Sequence, residues 1–126
     1  MCGVCGGGGG PRDGYAADIE DSPAARKRAQ LGLAAWATRL FGPERVRVHD
    51  LPGTVRVMVT GPTGQCFVAQ GVDEVLDAVD RIMAGRTPWP AIADRLLTAA
   101  GDGHDHTDWA YRSLTHAVAR RRNPLT

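Results

Sequence analysis

The chain has 126 residues, enough for one domain with its own hydrophobic core and no need of disulfide staples. Fifteen Lys and Arg against fourteen Asp and Glu leave a formal charge of +1, which excludes a global field steering it to nucleic acid or membrane and assigns any such binding to a local patch. No apolar run approaches the roughly 18 residues of a membrane span and no signal-peptide h-region is evident, so a cytoplasmic protein without membrane contact is expected.

Residues 1–21, opening "MCGVCGGGGG", carry glycine and charge with almost no apolar periodicity and read as a flexible arm. Order is expected from Ser22, a good N-cap followed by Pro23 at the first helical position. Ala29, Leu33, Trp36, Ala37, Leu40 and Phe41 then recur at helical spacing until Gly42 and Pro43 stop the run. In "RVRVHDLPGTVRVMVTGPTGQCFVAQ", residues 45–70, valines alternate with polar residues, and the turn signals "LPGT" and "GPTG" divide the stretch into three strands of an antiparallel meander. The alternation points Val46, Val48, Val55, Val57 and Val59 toward a core and Arg45, Arg47, His49, Arg56, Met58 and Thr60 away from it.

The period then changes. Val72, Val75, Leu76, Val79, Ile82 and Met83 share one face of a helix ending at Gly85. Thr87 is the expected cap of another, with Pro88 at its start, Trp89, Ile92, Ala93, Leu96 and Leu97 on its buried side and Gly101 after it. Thr107 and Asp108 open a last helix with the stripe Ala110, Leu114, Ala117 and Val118. The expectation is an α+β fold: an N-terminal helix, a three-stranded antiparallel meander and three helices, with residues 22–126 as a single domain after the arm.

Cys2 and Cys5 are spaced so that both thiolates reach one metal, and the glycine that follows lets backbone N–H groups face the sulfurs. "CGVC" resembles a zinc knuckle, and Cys2, Cys5, Gly7 and Gly9 match one copy of the CxxCxGxG repeat of DnaJ-type zinc modules; the resemblance covers these residues alone and brings no chaperone function. Two further ligands are needed. His104 and His106 of "HDH", in a polar loop before a helix, are the expected pair; Cys66 with His49 fits less well, because the outer strands of a meander lie roughly 10 Å apart. "MCG" also resembles the start of N-terminal-cysteine amidotransferases, whose asparagine and glycine oxyanion motifs are missing here.

Arg45, Arg47 and Arg56, with His49 beside them, are candidates for phosphate contact from the solvent face of the sheet. On the last helix Arg112, His116 and Arg120 follow at i+4, then Arg121 and Arg122, with Trp109 as a candidate anchor for RNA or a protein partner. The α, β, β, β, α order resembles the double-stranded RNA-binding domain. Where that family places phosphate-clasping lysines, at the start of its second helix, this chain has Asp73, Glu74 and Asp77.

Together these features predict a small non-enzymatic zinc-binding adaptor or regulatory protein contacting RNA, a ribosome or another protein. The alternatives are a metal-free protein-interaction module, as in a phage or mobile element, and a thiol- or zinc-dependent enzyme. One lysine among abundant Arg and Ala points to a GC-rich bacterial or phage coding source.

Overall fold

The computed structural model describes residues 22–101 and 109–122. Its elements run α1 (Pro23–Leu40), β1 (Arg47–Asp50), β2 (Val57–Thr60), β3 (Cys66–Ala69), α2 (Gly71–Ile82), α3 (Trp89–Gly101) and α4 (Trp109–Arg122), the expected α+β order.

Ser22 starts α1 as expected: it is extended, and its Oγ accepts the Ala25 N–H at 3.1 Å, satisfying one of the amides that a helix N-terminus leaves unpaired. After Leu40 the chain makes one 3-10 turn, Gly42–Glu44, and Arg45 takes a left-handed φ of 61°. That conformation opposes an L side chain by roughly 1 kcal/mol, and it turns Arg45 outward while the next residue, Val46, is fully buried.

The sheet order is β1-β2-β3, antiparallel throughout, so β2 is central. Gly64, at φ 92°, makes the β2–β3 turn, and Gly61 lies so close to α2 that a Cβ there would meet Ile82 at 2.7 Å. The inner row Val48, Val59 and Phe67 and the row Asp50, Val57 and Ala69 face the helices. Thr38 on α1 closes the outer edge of β1: its hydroxyl donates to the Val48 carbonyl and accepts the Val48 N–H, each at 2.9 Å.

Beneath the sheet lie α1 and α2, and α4 packs on both of them and on α3. The shared core contains Phe41, Leu76, Ile92, Leu96 and Leu114, all fully or almost fully buried. Trp36 and Trp89 are partly buried against it, and so is Trp109; Trp36 tilts at 52° to Tyr111 with 5.2 Å between ring centroids.

Three polar ties fix the helices to the rest. Arg95 donates two bonds to the Glu44 carboxylate, at 2.6 and 2.9 Å, and one to the Leu40 carbonyl at 3.0 Å. The bond to Glu44 raises the Arg95 pKa above its ordinary value, against the opposing effect of burial. Arg121 on α4 pairs with Asp77 at 2.8 Å and approaches Asp73 at 3.8 Å, while its guanidinium lies 5.5 Å from the Trp89 ring centroid. Gln30, buried on α1, donates its amide to Asp50 and to the Arg56 carbonyl.

Three expectations need correction. Val55 is 45 % exposed because it lies in the β1–β2 turn, ahead of β2, and Leu97 is 64 % exposed because it projects from the side of α3 turned away from α1 and α4. The Thr87 hydroxyl does not cap α3; it donates to Asp80 at 2.6 Å, tying the start of α3 to α2.

Candidate functional site

Because β-strand side chains alternate, the residues between the inward valines form a second surface on the opposite face of the sheet. It is a grid of two rows: Arg47, Thr60 and Cys66, then His49, Met58 and Val68. Arg47, His49, Cys66 and Val68 are exposed and Met58 and Thr60 half-buried, and the grid contains no carboxylate. Thr60 Oγ lies 3.8 Å from Cys66 Sγ, and the thiol donates to the Gly64 carbonyl at 3.6 Å.

Arg45 and Arg47 line a cleft of about 460 Å³ with Thr60 and Gly61 at one end of the hairpin. At the other end a cleft of about 570 Å³ between the first turn of α1 and the β1–β2 turn is lined by Arg26, Lys27, Val55 and Arg56. Arg56 precedes β2 in the turn; its backbone N–H is held by Thr54 Oγ at 3.0 Å and its side chain is exposed. Among the described residues no hydrogen bond or ion pair engages the side chains of Arg45, Arg47, His49 or Arg56.

Carboxylates behave differently. Glu44 binds Arg95, Asp50 binds Lys27 and Gln30, Asp73 and Asp77 hold Arg121, Glu74 accepts the Gln70 N–H and Asp80 accepts from Thr87. Among the described residues, contacts within the fold thus engage every carboxylate except the exposed Asp94 and leave Arg45, Arg47, His49 and Arg56 without partners. By sequence, residues 22–126 carry fourteen of the fifteen Lys and Arg and ten of the fourteen Asp and Glu, a balance of +4, against −3 for residues 1–21. The near-neutral total therefore conceals an uneven spread of charge along the chain.

The structure divides the predicted contact residues between two surfaces. Arg45, Arg47 and Arg56 belong to the sheet side. Arg112, His116, Arg120 and Arg122 are exposed on α4, whose main contacts are with the other helices and not with strands. Arg121 is occupied by Asp73 and Asp77, so the first two turns of α2 are where α4 is anchored. Trp109 is partly buried against the core.

Cys2, Cys5, His104 and His106 lie outside the described residues. Among the described residues no three His, Cys, Asp or Glu side chains are grouped closely enough to hold a metal ion. His49 and Cys66 occupy diagonal corners of the grid on the two edge strands, about 10 Å apart by two strand spacings. Cys66 and Val68 belong to the exposed face and were not singled out from the sequence as contact residues; the alternation running through "QCFVAQ" was the signal for them.

Comparison with family models, with curated proteins and with solved structures finds no match in any of the three. Among the described residues no helix is long and apolar enough to cross a membrane.

Proposed function

We propose that this chain is a small non-enzymatic adaptor that binds RNA through the outer face of its sheet and carries zinc on Cys2, Cys5, His104 and His106. The observation behind the RNA contact is an outer sheet face without carboxylates whose Arg47 and His49, with Arg45 and Arg56 in the turns that flank it, have no partner within the described fold. Arg47 and His49 stand at alternate positions of β1, about 6.7 Å apart, with Arg45 in the turn just before the strand, and they suit successive contacts to a phosphate backbone. The reading for zinc rests on the ligand chemistry of the CxxC pair, which needs two more donors to close a tetrahedral site.

Fluorescence anisotropy with a labelled oligouridylate tests the first part. Up to four phosphate contacts give a slope of log affinity on log salt of about −2 to −3. Binding that ignores salt overturns the RNA reading. Elemental analysis of untagged full-length protein tests the second: about one zinc per chain is expected, lost in Cys2→Ser plus Cys5→Ser.

A protein partner is the second reading. The row His49, Met58 and Val68 favours it, because Val68 is 52 % exposed and the face has no aromatic side chain for base stacking.

A further inference from the structure

We infer that the outer sheet face is also the docking site of this chain's own acidic segment, residues 13–21, which RNA would have to displace. The segment reads "DGYAADIED": Asp13, Asp18, Glu20 and Asp21, with no Lys or Arg. It ends immediately before Ser22, the cap of α1, and the first turn of α1 shares a cleft with Val55 and Arg56 of the β1–β2 turn, beyond one end of the sheet. Nine residues reach up to about 30 Å, whereas the stretch from Arg45 to Leu51, whose N–H donates to the Arg56 carbonyl at 3.1 Å, spans at most about 20 Å. The segment is therefore long enough to pass from the Arg56 end of the hairpin to Arg45 at the other.

Composition matches on both counts. Four carboxylates face a surface with Arg45, Arg47, His49 and Arg56 unpartnered and no acid among its six grid positions. Tyr15 and Ile19 supply apolar groups for Met58 and Val68, the latter half exposed on that face. Asp50, at the end of β1, does not oppose the approach, because Lys27 at 2.6 Å already neutralises it.

Docking stands apart from the RNA reading; only the displacement rests on that reading. The test is amide NMR of the full chain against the variant D13N/D18N/E20Q/D21N, without RNA. Docking predicts that Arg47, His49, Met58 and Val68 amides differ between the two proteins at low salt, and that the difference collapses near 1 M salt, where the screening length is about 3 Å. The converse variant R45Q/R47Q/R56Q should move the amides of residues 13–21. Differences confined to the mutated residues and their immediate neighbours overturn the inference.

Oligouridylate binding separates the two ideas. If both hold, the neutralised variant binds about three- to tenfold tighter, as a few exposed charge pairs require. Amide differences with no oligouridylate binding in either protein leave docking standing and remove RNA. Equal, salt-dependent binding in both proteins without amide differences does the reverse.

Discussion

The two faces of the sheet are built from the same twelve residues taken alternately, and they have opposite fates. On the inner face Val48, Val57, Val59 and Ala69 are each less than 5 % exposed; on the outer face Arg47, His49, Cys66 and Val68 stand in solvent. The inner set owes its position to the removal of apolar area from water, about 25 cal/mol per Å². The outer set makes almost no contribution of that kind, and its composition is free to serve recognition. What stabilises the protein and what it presents are therefore separated by a single step along the chain.

The harshest way to break this contrast is to put an outer-face residue on the inner face. Val59→Asp places an unpaired carboxylate at a position with no exposed area, in the central strand. Destabilisation of about 4 kcal/mol or more is expected, a large share of the roughly 5–15 kcal/mol that typically holds a domain folded. Denaturant unfolding followed by circular dichroism checks it; a variant unfolding near wild type would mean that the sheet face is not buried as described.

Next in size is the tie between α3 and the end of α1. Arg95→Met leaves the Glu44 carboxylate, 9 % exposed, and the Leu40 carbonyl without their donor. A loss of about 2–3 kcal/mol is expected, below the figure for a fully enclosed pair because the Arg95 side chain is 29 % exposed. A raised pKa contributes stability that is fully present below the ordinary arginine value and is lost only as pH rises through the folded one. Arg95 therefore gives the variant's deficit no slope between about pH 6 and 9, as paired denaturant titrations would show.

Element order was readable in the sequence because each change of period is local: helical spacing to Phe41, alternation through the valines, helical spacing again from Val72. The inner valines followed from parity alone. What escaped was long-range or collective. Arg121 looked like a free cation at a helix end, and only the packing of α4 on α2 brings it to Asp73 and Asp77. The uneven spread of charge was hidden in a sum of +1, because four of the fourteen acids but only one of the fifteen basic residues lie in residues 1–21. No reading of a total charge reveals how that charge is distributed.

On the outer face the expected stability effect is small and the binding effect is not. Arg45→Gln plus Arg47→Gln removes two exposed side chains without partners, so unfolding should move by less than about 0.5 kcal/mol. Oligouridylate affinity should fall roughly tenfold, with the salt slope about 1.4 shallower. Unchanged affinity would leave the outer face a solvated surface with no part in RNA binding.

The smallest effect is expected at Val55, where parity and structure disagree. Counting back in twos from Val59 puts Val55 among the inward valines, yet alternation carries that meaning only where the strand is continuous. Here the ladder starts at Val57, and the preceding residues belong to a turn in which the Thr54 hydroxyl donates to the Leu51 carbonyl at 2.9 Å and accepts the Arg56 N–H at 3.0 Å. Those bonds rotate the backbone out of register and leave Val55 45 % exposed. Val55→Thr should therefore change stability by less than about 0.5 kcal/mol, whereas an inward valine would lose a buried methyl and gain an unsatisfied hydroxyl, about 1–3 kcal/mol for the hydroxyl alone. Denaturant unfolding distinguishes the two: a cost in the higher range would extend β2 back through the turn and carry the inner face with it.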